Sequence, residues 1–217
     1  VPVDWAVEAY VISDTFADEN DISMYEDKAE VLCMPDTLFA SVCDTENPQG
    51  ILAVCKKLNW DADAVFAKEK PFFILAEELN DPGNLGTVIR TADACGAHGI
   101  IIPKRRGVAL TYAVGKVSAG AVEYVPVARV SNLPSAIDEL KEKGFWIYGA
   151  DMDGTSWDKQ DYSGSVALVV GSEGKGMGRL VKDKCDFIVS LPMKGKINSL
   201  NASVAAGILM YEIAKHR

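Results

Sequence analysis

Three short stretches of this chain bring together the residue types that hold and react a small polar ligand. The last, Leu191 to Gly207, reads LPMKGKINSLNASVAAG: an apolar strand ending in Leu-Pro, a Gly- and Lys-bearing loop, then a helix start at Ser199-Leu200-Asn201. A helix start gathers unpaired backbone N–H groups, and this one adds a hydroxyl and a side-chain amide at the same point. The spacing makes Ser199 the natural N-cap. It does not explain Asn201, a mediocre helix former, in the first turn. Farther along, Val204, Ile208 and Tyr211 read as ordinary core spacing.

The middle stretch, Val169–Gly178, reads VVGSEGKGMG after an apolar strand. It is not a Walker loop, because Lys175 is followed by Gly176 rather than Ser or Thr, and the G-x-G-x-x-G dinucleotide fingerprint is absent. What remains is one carboxylate, Glu173, among glycines that let a ligand approach the backbone closely. The first stretch, Leu79–Arg90, reads LNDPGNLGTVIR. Asp81-Pro82-Gly83-Asn84 forms a turn, and Asn84 is placed to cap the helix that follows. Arg90 stands six residues farther on among Val88, Ile89 and Ala92, where a guanidinium needs an anionic partner or a water-facing position. Between these stretches, Lys104-Arg105-Arg106 follows the apolar run GIIIP. Three adjacent cations at a strand end are suited to gripping phosphates.

Positioning such loops requires strands that end together. Residues 72–77, 99–103, 145–150, 166–170 and 187–191 are short apolar runs, and helical segments are expected over 84–95, 133–143, 177–184 and 199–215. Within 133–143, Leu133, Ala136, Ile137 and Leu140 make one apolar face, and Gly144 ends the helix. Continuous apolar strands separated by helices predict a parallel sheet covered on both faces, with ligands at the carboxyl ends of the strands. All three loops follow those ends. Before a polar boundary near Trp60–Pro71, strands at 9–13, 30–34 and 51–55, with a helix begun by Asp36, make a small α/β module.

Composition narrows the chemistry. Of 217 residues, 48% are hydrophobic and 24% charged, the balance of an ordinary globular protein. No run approaches the roughly 18 apolar residues of a membrane span. The chain opens VPVDWAVEAYV, with no initiator Met and no signal-peptide core, and reads as trimmed from something longer. Cys33, Cys43, Cys55, Cys95 and Cys185 are scattered and form no C-x-x-C pair, which suggests small buried residues in a reducing cytosol. Only His98 and His216 are available, so a histidine triad or a histidine-rich metal site is nearly excluded on inventory. The net charge of −9 argues against a nucleic-acid partner until its distribution is read. Residues 1–70 hold 15 acidic and 5 basic side chains; residues 71–217 hold 16 and 17. The acidity belongs to the N-terminal third.

In order and spacing, the stretches NDPGNLGTVIRTADACG, ALVVGSEGKGM and LPMKGKINSLNASVAAG resemble the three motifs of the SpoU/TrmH family of SPOUT RNA methyltransferases. The likeness covers essentially all of residues 72–217. The connecting text GIIIPKRR, VPVARVSNL and FWIYGAD is most similar to the bacterial branch that methylates a guanosine ribose of 23S rRNA. The resemblance implies an α/β fold: a parallel sheet flanked by helices with a C-terminal trefoil knot, over residues 71–217. Before it, residues 1–68 resemble the family's ribosomal-protein-L30e-like RNA substrate-binding domain, lacking its first helix. Also implied are S-adenosylmethionine as cofactor, no metal, a cytoplasmic homodimer with active sites at the subunit interface, and RNA as partner. Gly171, Leu191 and Leu200 match cofactor-contacting positions, with Met193 and Gly149 nearby. Asn84, Arg90, Glu173, Ser199 and Asn201 match the catalytic or substrate-positioning set, with Arg90 the favoured activator of the 2′-hydroxyl. A tRNA ribose methyltransferase and a non-catalytic RNA-binding or ribosome assembly factor stand as alternatives.

Overall fold

The computed structural model describes residues 6–43, 45, 47–56, 62–172 and 174–217. The chain divides into two compact units, Val1–Asn59 and Trp60–Arg217.

In the smaller unit, β1 (Val7–Ser13) pairs in parallel with β2 (Glu30–Met34) and antiparallel with β3 (Ile51–Cys55). Two short helices, α1 (Asp14–Glu19) and α2 (Ser23–Glu26), connect β1 to β2, and α3 (Asp36–Val42) follows. Asp36 does not cap α3 as expected. It occupies the first helical position, and its carboxylate instead accepts the Thr15 hydroxyl at 2.8 Å. The core is thin, centred on Tyr10, Ile12 and Phe39.

The larger unit is built on six parallel strands: β4 (Phe72–Ala76), β5 (Gly99–Pro103), β6 (Val127–Val130), β7 (Trp146–Ser156), β8 (Val166–Val170) and β9 (Phe187–Ser190). Their order across the sheet is β6-β5-β4-β8-β7-β9. The central pair, FFILA and VALVV, is buried along its whole length because both faces are covered. Alternate side chains feed two cores. Phe72, Ile74, Val166, Leu168 and Val170 lie under α5 (Pro82–Ala94), α6 (Tyr112–Val117) and α9 (Ala202–Ala214). Phe73, Leu75, Ala167 and Val169 lie under α7 (Leu133–Glu142) and the single turn α8 (Arg179–Lys182). On α7 the four expected apolar residues are buried, Asn132 caps the start and Gly144, at φ +84°, ends it. α4 (Ala62–Phe66) lies in the stretch expected to be a polar boundary, yet Phe66 packs on Phe73 and Phe145 of the second core.

Several expectations need correction. β6 and α6 were not foreseen: VARV is an edge strand with little apolar signal, and α6 is under two turns long. The helix expected over 177–184 is a single turn, and α9 starts at Ala202 rather than Ser199. Val204, Ile208 and Tyr211 are not core: they form an exposed face of α9, whose buried side is Ala206, Leu209, Met210 and Ile213. Nor are the cysteines fully buried. Cys33 is exposed and the other four are intermediate.

Candidate functional site

The three loops leave the carboxyl ends of β4, β8 and β9, next to the point where strand order reverses between β4 and β8. In open parallel sheets, a crevice forms at that point. The first loop begins at Glu77, whose N–H donates to the Val170 carbonyl at 2.8 Å, and turns at Glu78 with φ +51°. Asp81, not Asn84, is the N-cap of α5: its carboxylate accepts the N–H groups of Gly83 and Asn84, both at 3.1 Å. Asn84 sits one turn inside the helix and is buried.

The third loop ends in a cap as well, but Asn201 makes it rather than Ser199. Asn201 Oδ1 accepts the Ser203 N–H (2.9 Å), the Val204 N–H (3.2 Å) and the Ser203 hydroxyl (2.6 Å). Its Nδ2 donates to Asn84 Oδ1 at 2.9 Å. A side-chain amide, unlike a serine hydroxyl, can cap one helix while donating to a neighbour. That double use explains why asparagine stands at this helix start. The starts of α5 and α9 are thereby tied, 117 residues apart in sequence.

The second loop is a tight reversal. Ser172 and Gly176 exchange two backbone hydrogen bonds of 3.0 Å, with Gly174 and Gly176 at positive φ. A Cβ on Gly171 would lie 2.3 Å from the Gly176 carbonyl carbon, so the turn closes only over glycine.

Loops two and three wall a cavity of about 610 Å³. Ala150, Val170, Val189, Ala205 and Leu209 form its apolar floor, and Gly171, Leu191, Met193, Ser199, Leu200 and Asn201 line it from the loops. Asp151 and Lys175 are its charged lining among the described residues. The volume falls in the usual small-molecule range, ~300–1,000 Å³. A shallower depression adjoins it at Ser190–Met193 and Gly195–Asn198.

Not every expected residue reaches this cavity. Gly149 lies one layer away, where a Cβ would sit 2.7 Å from Met177 Cε and 2.8 Å from Cys185 Sγ; its missing side chain makes room for the second core. Asn84 and Arg90 do not line the cavity, and Arg90 is exposed on α5. Glu173 lies outside the described residues. Lys104, Arg105 and Arg106 are exposed beyond β5, and Arg129 joins them by donating from its guanidinium to the Lys104 carbonyl at 3.3 Å. Of the cations near the other loops, Lys182 is held by Asp151 at 3.0 Å and Lys184 by Asp138 at 2.5 Å. Lys175, Lys194 and Lys196 stay exposed.

Sequence reasoning passed over Asp151, although it stands directly after an apolar run in FWIYGAD, and Glu77, which closed the strand expected over 72–77 and was given no role. Burial pushes the Cys185 thiol up to about 12, too high for a thiolate nucleophile near neutral pH. No group of three His, Cys, Asp or Glu side chains among the described residues is arranged to hold a metal. The site is built to seat a ligand between backbone and small side chains.

Comparison with known proteins fits this architecture. Residues 71–211 match the SpoU rRNA Methylase family. YacO of Bacillus subtilis (strain 168), named for the TrmH family of tRNA/rRNA methyltransferases, is 59% identical over 150 residues, 69% of this chain and 60% of its own length. A Staphylococcus haemolyticus (strain JCSC1435) protein of the same name is 56% identical over 146 residues, 66% of this chain and 58% of its own. The chain thus spans less than two thirds of these relatives. Among solved structures, the SpoU methyltransferase AviRb from Streptomyces viridochromogenes, in complex with AdoMet, superposes with a TM-score of 0.82 at 25% identity, over 98% of this chain and 83% of AviRb. From the three motif loops and the match over 71–211, the chain belongs to the SpoU rRNA methylase family.

Proposed function

We propose that this protein transfers a methyl group from S-adenosylmethionine to a ribose 2′-hydroxyl of RNA, that of a guanosine in 23S rRNA. One observation carries the reading: the loops after β8 and β9 converge on a single cavity at the carboxyl ends of a parallel sheet, lined by Gly171, Leu191, Met193 and Leu200. A cofactor with a flat base, a ribose and a charged amino-acid tail fits the lining, because apolar walls, exposed loop backbone, Asp151 and Lys175 all face it. The AdoMet complex of AviRb supports this choice.

S-adenosylmethionine, when bound, supplies an electrophilic sulfonium methyl; the protein must bring the 2′-oxygen in line and stabilise it as its proton leaves. A guanidinium holds its proton and is a poor general base, so the part proposed for Arg90 is to stabilise the developing alkoxide and the adjacent phosphate. Ser199 stands exposed at the cavity rim to orient the ribose, a task that the motif resemblance gives to Glu173 as well. Asn84 and Asn201 are better read as positioning residues, since their shared hydrogen bond ties α5, which carries Arg90, to the start of α9, which the Ser199 loop enters.

A single chain does not bring Arg90 to the cavity. The exposed apolar face of α9, with Val204, Ile208 and Tyr211, supports a homodimer in which a second copy completes the site. The proposal includes a trefoil knot. It is supported by the close backbone approach of Gly154 to Ile188 and Val189, and by the second register in which β7 meets β9. RNA is gripped by Lys104, Arg105 and Arg106, with Arg129 as a fourth cation; residues 1–68 present further RNA contacts, and the work is cytoplasmic.

Transfer of tritiated methyl groups to total bacterial RNA tests the reading. Label in 23S rRNA, lost on digestion only when the 2′-O-methylguanosine nucleoside is removed, is the expected result. Label in tRNA assigns the other substrate class, and no label over background leaves an RNA-binding assembly factor.

A further inference from the structure

Glu77 follows β4 at a position whose alternation points it toward the second core, after Phe73 and Leu75. A half-buried carboxylate there is costly, and its desolvation raises its pKa above the ordinary glutamate value. Two contacts hold the residue, one through its backbone and one through its carboxylate. Its backbone N–H donates to the carbonyl of Val170, the residue just before the Gly171–Gly178 loop, at 2.8 Å. Its side-chain Oε2 accepts the N–H of Gly178, the last residue of that loop, at 2.9 Å across 101 residues of sequence. One residue therefore grips both ends of the loop that walls the cavity. Gly178 is matched to this grip, because a Cβ there would lie 2.8 Å from Glu77 Oε1.

We propose that Glu77 is a positioning residue for the cavity: by clamping both ends of the Gly171–Gly178 loop it sets the affinity for the cofactor without touching it. The inference rests on the S-adenosylmethionine reading above, and a measurement that does not need the cofactor separates the two.

The test is calorimetric titration of S-adenosylmethionine into the purified chain, combined with hydrogen exchange of the loop amides in its absence. Loss of one charge-assisted hydrogen bond predicts that Glu77→Ala weakens binding by about tenfold and speeds exchange at Lys175–Gly178. Glu77→Gln keeps an acceptor at nearly the same place and stays within about threefold of the wild type. Glu77→Asp, one methylene short, behaves like Glu77→Ala. Gly178→Ala reproduces the loss from the other side, and the double variant Glu77→Ala/Gly178→Ala is no weaker than either single one, the signature of one shared interaction. A general loss of folding would depress Glu77→Gln as well and would appear in the melting curves. Glu77→Ala binding within twofold of the wild type, with unchanged loop exchange, overturns the clamp. If the wild type takes up no S-adenosylmethionine, the functional reading falls, while the exchange rates still decide the clamp.

Discussion

The two ends of the six-stranded sheet solve opposite problems with similar residues. At the amino ends, polar side chains close on backbone. His98 Nδ1 accepts the Phe72 N–H at 3.1 Å, and Arg217 donates to the carbonyls of Lys70 (2.8 Å) and Gly164 (2.6 Å) while lying over the Phe72 ring. The Tyr148 hydroxyl donates to the carbonyl of Asp161, in the segment that leads into β8. At the carboxyl ends, Ser199, Lys175, Lys104 and Arg105 stand exposed, and glycines replace bulk. One end is a seal and the other a site. Substitutions at the first should alter stability and leave binding alone, and those at the second should alter binding.

The sharpest attempt to break this contrast is Gly171→Val. The hairpin must open to admit a side chain into space held by the Gly176 and Met177 backbone, so S-adenosylmethionine affinity should fall more than about 100-fold. Titration of the folded variant checks it, and retained binding would remove the loop from the site. Next in size is Arg90→Ala. Exposed on α5 and away from the cavity lining, Arg90 can vanish without disturbing cofactor affinity, yet methyl transfer should fall about 10²-fold or more if it stabilises the alkoxide. Near-full turnover with intact binding would sink that role.

How much of this contrast was legible in the sequence differs between the ends. The carboxyl end announced itself, because glycines, Ser199, Asn201 and the Lys104–Arg106 run all fell just after apolar strands. β4, β5 and β8 were readable because a strand buried on both faces must be apolar throughout. Cap identity was not readable. Ser199 and Asn84 are good cap types, but Asn201 and Asp81 won because each can serve two groups from one position. The exposed face of α9 misled because an apolar face left at the surface of the chain carries the same spacing as core. The amino-end seal left no trace at all: Arg217 and His98 find partners through the fold, and no local pattern encodes those meetings.

Smaller effects test the seal and the tie between helices. Asn201→Ala removes a cap and the link to Asn84, and should lower stability by about 1–2 kcal/mol by denaturant titration, with cofactor binding weakened in step. Arg217→Ala removes two hydrogen bonds at the opposite end and should cost about 1 kcal/mol, with S-adenosylmethionine affinity unchanged. An equal loss of binding would mean that the two ends are not independent. The least effect is a pH dependence at His98. Its Nδ1 accepts a backbone N–H and so must be unprotonated; burial, then Arg217 and Lys68, lower its pKa below the ordinary 6.5. Between the two values the unfolded chain binds more protons than the folded one, so stability rises with pH there. The contribution is complete above the unfolded pKa and is lost as pH falls through 6.5 toward the depressed folded value. Melting temperatures measured from pH 7.5 down to 5 should therefore decline more steeply in the wild type than in His98→Gln. Equal slopes would mean that the Phe72 N–H tolerates a protonated imidazole, and that this part of the seal contributes nothing.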